Sequence, residues 1–147
     1  MDPGHIFQLV SISVGIGMLL YVYMRGRSIL EDFPDLEDSE FVFIEDKASG
    51  YSNHSIRARK GGANKVLKIR VTEADLWLYS STIFAFILKR VNLLHKVPLE
   101  DILSVDTEEY TVIIRFYSEG EETEVVLFSR YREELIAALT NPSEDIG

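Results

Sequence analysis

The stretch LKIRVTEADLWLYS, residues 67–80, decides the fold because its side chains alternate with a period of two. Leu67, Ile69 and Val71 point to one face of an extended chain, while Lys68 and Arg70 point to the other. A polar turn, Thr-Glu-Ala-Asp, separates this run from a second apolar run, Leu-Trp-Leu-Tyr. Two such runs joined by a short polar segment predict an antiparallel β-hairpin.

The same pattern continues toward the C-terminus. Residues 93–97 and 102–107 flank a proline-led turn, and residues 111–117 and 124–128 flank the polar loop 118–123. A closing helix is predicted after Ser129, which can cap it, and Asn141-Pro142 ends it. Structure begins near residue 41, so residues 41–147 form the domain. Its predicted class is α+β, mostly β: a partly open antiparallel barrel or two packed sheets, closed by the C-terminal helix.

Three pieces of residues 66–139 resemble the pleckstrin-homology-like (PH-like) fold, especially bacterial PH-like and GRAM-like domains. These are the hairpin LKIRVTEADLWLYS, the proline-led strand VPLEDILSVD, and the strand-to-helix segment VVLFSRYREELIAAL. Small bacterial membrane proteins with one N-terminal helix and such a domain have the same layout. The resemblance implies a non-catalytic binding or scaffolding role, with a lipid, a peptide or a neighbouring protein as the ligand.

The N-terminal run IFQLVSISVGIGMLLYVYM, residues 6–24, is uncharged and spans ~28 Å as a helix, close to the ~30 Å hydrocarbon core of a bilayer. A cleaved signal peptide is disfavoured because no Lys or Arg precedes the run, and a buried core helix because no polar face interrupts it. We predict a transmembrane anchor over residues 1–27. Arg25 and Arg27 follow the run, so the N-terminus is expected outside and the domain on the cytoplasmic side of the cell (inner) membrane.

Two further features concern the anchor and its connection to the domain. The pairs Ser11/Gly15 and Ser13/Gly17 are spaced to let two membrane helices approach closely, which predicts helix-mediated self-association as one alternative. Residues 28–40 carry six acids and one proline, and we interpret them as an acidic, solvated linker.

Charge is divided unevenly along the chain: net −7 over residues 1–46, +8 over residues 47–99 and −10 over residues 100–147. The basic third contains a Gly-Gly turn surrounded by cations, a pattern able to hold a phosphate. These candidate anionic-lipid ligands are Arg57, Arg59, Lys60, Lys65, Lys68 and Arg70. The competing interpretation is that Lys68 and Arg70 are the solvated face of an amphipathic strand.

The second candidate surface is the apolar run of residues 83–88, which two bases follow. An exposed run of this kind would contact a membrane or a protein partner. The residues concerned are Ile83, Phe84, Phe86, Ile87 and Leu88. The competing interpretation is a core strand, because short continuous apolar runs are often buried on both faces.

Nothing in the sequence indicates catalysis. There is no cysteine, the three histidines are scattered, and no metal-ligand spacing or phosphate-binding loop motif occurs. We therefore predict no enzyme activity, no cofactor, no metal and no nucleic-acid partner. The predicted function is protein–protein scaffolding by a membrane-anchored module. The alternatives are recognition of anionic lipid headgroups and a role as a small accessory subunit of a membrane complex.

Overall fold

A computed structural model describes residues 2–33, 41–53 and 61–140. The first element is helix α1, Pro3–Ile29, followed by a single 3₁₀ turn, Leu30–Asp32. Helix α1 is the one described helix that is long and apolar enough to cross a membrane, and none of its apolar window is buried by the rest of the chain. Inside it, the Ser13 hydroxyl donates to the carbonyl oxygen of Leu9, which removes the need for a polar partner outside the helix.

The domain is built on one antiparallel sheet of seven strands in the order β4-β3-β2-β1-β7-β6-β5. Consecutive strands are neighbours in the sheet, apart from β4 and β5, which form its two opposite edges. The first and last strands, β1 and β7, also pair with each other. The strands are β1 Phe43–Ser52, β2 Ala63–Val71, β3 Asp75–Tyr79, β4 His95–Pro98, β5 Ile102–Glu108, β6 Thr111–Ser118 and β7 Glu121–Phe128. The mostly β class and the 67–80 hairpin are therefore confirmed.

The inner faces of both halves of the sheet share one hydrophobic core. Leu67 and Leu78 come from one half, and Ile114 and Phe116 come from the other, all fully buried. The imidazole of His95 on β4 packs edge-on against the ring of Phe116 on β6, with the ring centroids 5.0 Å apart. Strands that are far apart in the sheet order thus meet in space, so the sheet curls around its core.

Helix α3, Arg132–Thr140, packs Leu135 and Leu139 into this core, which confirms the predicted closing helix. Its approach is held by Glu45, a buried residue of β1 whose carboxylate accepts hydrogen bonds from the Ser129 hydroxyl and the Arg130 backbone N–H. The Ser129 oxygen in turn accepts from the Tyr131 N–H. The carbonyl of Tyr131 accepts the first helical hydrogen bond, from the Leu135 N–H, so Tyr131 and not the predicted Ser129 occupies the N-cap position. The predicted stop at Asn141-Pro142 lies outside the described residues.

The β6–β7 connection is shorter than the sequence indicated. Residues 118–123 were expected to form a loop, but Ser118 pairs with Glu121 and the strands are joined by Glu119 and Gly120 alone. Both connecting residues have positive φ, 53° and 80°, the geometry that follows the twist of a two-residue hairpin. Glu121 and Glu122 therefore lie on a paired strand, and Glu119 alone of the three acidic residues is in the turn.

The apolar run at residues 83–88 is a helix, so the core-strand interpretation is wrong. Helix α2, Thr82–Arg90, connects β3 to β4 and begins after Ser81. Ala85 and Leu88, three residues apart, are buried, while Ile83, Phe84 and Ile87 are exposed. The run is apolar on all sides because one side of α2 meets the domain core and another side lies beside α1, as described below.

Candidate membrane-facing site

The contact between α1 and α2 depends on Gly26, the one buried residue of α1. A Cβ atom at this position would lie 2.9 Å from the carbonyl carbon of Thr82 and would overlap its carbonyl oxygen. Only glycine permits this approach, in the way that small residues permit close helix contacts in membranes. The start of α2 is therefore held directly against α1.

The first turn of α2 lies beside the apolar part of α1. Ile83 lines a cavity of about 350 Å³ together with five α1 residues: Ile16, Leu19, Leu20, Val22 and Tyr23. All five belong to the uncharged run of residues 6–24. Any environment that surrounds this end of α1 therefore also surrounds the start of α2.

The exposed side of α2 is apolar. Ile83 is 55% exposed, Ile87 is 51% exposed, and Phe84 is also exposed, whereas Phe86 is half-buried. Leu88 is buried in the domain core and contributes nothing to a surface, which corrects its inclusion among the predicted apolar interaction residues. Three of the five predicted residues therefore form a continuous exposed apolar face.

Cations surround this apolar face. Arg25 and Ile29 of α1 form a second cleft of about 230 Å³ with Phe86, Lys89 and Arg90 of α2. The Arg90 guanidinium lies 5.2 Å from the centroid of the Phe86 ring, a cation–π distance. The apolar face of α2 thus ends in basic residues at the level where α1 also becomes basic.

A third cleft of about 420 Å³ opens where α1 ends, and it is the most polar feature of this region. Two cations line it, Arg27 from α1 and Lys68 from β2, with Glu31 as the one carboxylate among the described residues that line it. The hydroxyl-bearing segment before and at the start of α2 also lines it. The remaining lining residues are Leu30, Phe33, Tyr79, Ser80, Ser81 and Thr82.

The outer face of β2 and β3 is covered by the end of the α1 segment. The Phe33 ring packs edge-on against Trp77, with 5.5 Å between centroids, and stacks on Tyr79 at 5.8 Å. The Lys96 ammonium lies 4.7 Å from the centroid of the Trp77 ring on the same face. Residues 28–33 thus continue α1 and pack on the domain, so the predicted spacer behaviour does not apply to this part of the 28–40 linker.

The described members of the predicted basic surface lie in different surroundings. Arg57, Arg59 and Lys60 lie outside the described residues. Lys65 is exposed, whereas Lys68 lines the cleft beside α1. Lys65 and Lys68 are both on β2, yet only Lys68 of these two lies beside the end of α1.

Arg70, the last member of this set, is buried, so neither the free lipid ligand nor the solvated strand face describes it. Its guanidinium forms a 2.7 Å salt bridge with Asp46 and donates to the backbone carbonyls of Glu45 and Ile69. The guanidinium also lies 5.8 Å from the centroid of the Phe41 ring. Arg70 is therefore a structural residue that ties β2 to β1.

The helix-packing candidates Ser11, Ser13, Gly15 and Gly17 are all exposed on α1. A Cβ added at Gly15 or at Gly17 would meet nothing within 4 Å. These small residues therefore make no close contact within the chain, and self-association through them stays a prediction. The small residue that α1 uses internally is Gly26, which sequence reasoning missed although it lies between the two flanking arginines.

The opposite half of the sheet is acidic. Glu121 and Glu122 are exposed on β7, and Glu108 is exposed at the end of β5. On β6, Arg115 binds Glu124 at 2.6 Å, and this hydrogen bond together with the charges of Glu124 and Asp106 raises the pKa of Arg115. The basic residues near α1 and the acidic residues of β5–β7 therefore lie in different halves of the domain.

Neither metal chemistry nor a known family is indicated by these observations. Within the described ranges, no group of three or more His, Asp or Glu residues is arranged to hold a metal ion. In comparisons with known proteins, no family model matches the chain and no curated protein is significantly similar to it. The candidate site therefore stands on its own geometry: an apolar helix face and two basic clefts at the end of a helix long enough to span a membrane.

Proposed function

We propose that this chain is a non-catalytic, membrane-anchored module with a PH-like domain, which positions a protein partner at the cytoplasmic face of the cell (inner) membrane. The observation that carries the proposal is the packing of α2 against the apolar part of α1. The strand order, in which consecutive strands are neighbours and β1 also pairs with β7, and the closing C-terminal helix support the PH-like assignment.

The position of α2 along α1 defines how the domain meets the bilayer. Ile83 lies beside Leu19 to Tyr23, one to five residues before the end of the apolar run at Met24. At 1.5 Å per residue, this places Ile83 roughly 2–8 Å inside the hydrocarbon boundary, whereas Thr82, which contacts Gly26, lies just beyond that boundary. Amphipathic helices that lie in the interface bury their apolar face to a depth of about 5–10 Å. Helix α2 therefore acts as a second attachment, and Ile83, Phe84 and Ile87 contact lipid.

The basic residues fit the same orientation. Arg25, Lys89 and Arg90 share one cleft, so they lie at a common level near the end of the apolar run. Long cationic side chains near the end of a buried helix extend to the lipid headgroups while their methylene groups stay in apolar surroundings. With α1 and α2 both attached, the domain is held on the membrane rather than carried on a flexible tether.

This orientation leaves the acidic half of the sheet available to a partner. Tyr117 on β6 is directly opposite Glu122 on β7, and both side chains are exposed. Exposed tyrosines are enriched in protein interfaces, and neighbouring carboxylates favour a basic partner. The accessory-subunit alternative draws no support from α1, whose apolar residues are distributed around the whole helix.

The attachment is tested by thiol labelling, for which the cysteine-free chain is a clean background. Ile87→Cys and Leu103→Cys form a matched pair, because their side chains are 51% and 49% exposed. In membrane vesicles with the cytoplasmic face outward, we expect a polar maleimide to label residue 103 rapidly and residue 87 slowly. After solubilisation in denaturant the two should react equally. Equal rates in intact vesicles would refute the attachment of α2.

The scaffolding role is tested with a photoreactive amino acid at position 117 in cells. We expect one discrete adduct that is reduced by Glu122→Lys, while the same amino acid at position 65 gives no such adduct. Identical adduct patterns at both positions, or an adduct at position 117 that Glu122→Lys leaves unchanged, would contradict binding through the acidic half of the sheet.

A further inference from the structure

We infer that the cleft between the end of α1, β2 and the start of α2 binds the phosphate of an anionic phospholipid headgroup. The inference rests on the proposed membrane anchoring, but it concerns a different set of side chains from the apolar face of α2. It also differs from the basic segment at residues 57–70, because Lys68 is the one residue in the described part of that segment that lines the cleft.

The charge of the cleft favours an anion. Arg27 and Lys68 approach it from separate elements, and neither forms an ion pair with any of the described residues. Glu31 offsets one of the two positive charges. Among the described residues, the two cations at the cleft therefore have no carboxylate within salt-bridge distance.

Hydrogen-bond donors complete the site. Ser81 and Thr82, which carry hydroxyl groups, also line the cleft, and they stand where the nine-residue helix α2 begins. The first N–H groups of a helix have no partner within the helix, and they point outward from its N-terminal end. The Ser80 hydroxyl, by contrast, already donates to the Ser81 carbonyl. A phosphate in this cleft would accept hydrogen bonds from Ser81 or Thr82 and share the same cavity with Arg27 and Lys68.

The depth of the cleft identifies the source of the phosphate. Arg27 and Glu31 are three and seven residues beyond the end of the apolar run at Met24, which corresponds to roughly 5–10 Å along the helix axis. The headgroup layer extends about 5–8 Å beyond the hydrocarbon core on each side of a bilayer. Leu30 and Phe33 add apolar surface to the lining, suited to the glycerol and upper acyl carbons of a lipid.

The test uses the full-length protein in maltoside micelles, which contain no phosphate. Trp77 is the only tryptophan, and it contacts Phe33, which lines the cleft, so its fluorescence reports on occupancy. Short-chain phosphatidylglycerol is titrated in, and a short-chain phosphate-free glycolipid serves as the negative control. We expect saturable binding of the first lipid and none of the second.

The variants assign the site. Each cation near an anionic lipid contributes about 1 kcal/mol, so Arg27→Gln and Lys68→Gln should each weaken binding about fivefold. Lys65→Gln removes an exposed charge from the same strand, outside the cleft, and should leave affinity unchanged. Thermal unfolding of each variant is measured in parallel, so that a folding defect is separated from a binding defect.

Three outcomes would overturn the inference. Unchanged affinity in both Arg27→Gln and Lys68→Gln would show that the lipid does not bind in the cleft. A loss of affinity in Lys65→Gln equal to that in the cleft variants would show that binding depends on overall positive charge and not on this site. Equal affinity for glycerol phosphate in solution would make the ligand a soluble phosphate ester instead of a lipid. None of these results alters the labelling of Ile87→Cys, so the headgroup site and the membrane attachment fail independently.

Discussion

Substituting Gly26 by alanine should separate α2 from α1. The added Cβ would lie 2.9 Å from the carbonyl carbon of Thr82, whereas carbon atoms pack best at about 3.5–4.0 Å. The helices must therefore move apart by at least about 0.6 Å, and further to clear the carbonyl oxygen. Overpacking of this kind costs about 1–3 kcal/mol, and alanine gains roughly 1 kcal/mol over glycine in helix propensity, so the net cost is at most about 2 kcal/mol. The contact should weaken up to about 30-fold.

The measurement is chemical cross-linking between Tyr23→Cys and Ile83→Cys, two positions that line the same cavity in a chain without native cysteines. A short bifunctional thiol reagent should join them efficiently in the otherwise unchanged protein and much less efficiently when Gly26→Ala is added.

Gly17→Ala is the matched control for this measurement, because a Cβ at position 17 meets nothing within 4 Å of it in the chain. The control also examines helix self-association, since loss of a dimer with Gly17→Ala alone would favour pairing through the small residues. Equal cross-linking yields in Gly26→Ala and Gly17→Ala would refute the close α1–α2 contact, and with it the reasoning that α2 reaches the membrane.

Two stability predictions concern the domain itself, measured by denaturant unfolding of the full-length protein in micelles with Trp77 fluorescence. Glu45→Ala removes the carboxylate that accepts from the Ser129 hydroxyl and the Arg130 N–H. Hydrogen bonds to charged groups contribute about 1.5–3 kcal/mol each, so loss of both should lower the free energy of unfolding by about 3–6 kcal/mol. The exposed Glu108→Ala should change it by less than about 0.5 kcal/mol. Phe116→Ala, at a fully buried core position, should cost about 3–5 kcal/mol, and a loss as small as that of the exposed Tyr117→Ala would mean that β6 faces the other way.

Local patterns predicted the elements whose environment the chain itself encodes. Alternation at residues 67–80 predicted β2 and β3, because a strand with one face in a core needs apolar residues at every second position. The uncharged run of residues 6–24 predicted α1 for a similar reason, since its composition suits an apolar surrounding on every side. In both cases the signal depends on neighbouring residues only.

The errors arose where the environment is made by distant residues. The run at 83–88 is apolar on all sides because α2 lies between the domain core and α1, and no local pattern separates this case from a buried strand. Arg70 alternates like a solvated residue, but its surroundings come from Asp46 on β1 and from Phe41, about 25 and 30 residues earlier in the chain.

Periodicity and composition were enough to predict the apolar helix, the mostly β domain and the closing helix, because both record which side of each element avoids water. The candidate site, by contrast, depends on tertiary packing. Arg27 and Lys68 are 41 residues apart in the chain and meet only because β2 and the end of α1 lie side by side. A cleft whose charges come from different elements depends on how those elements pack, and packing is a property of the folded chain.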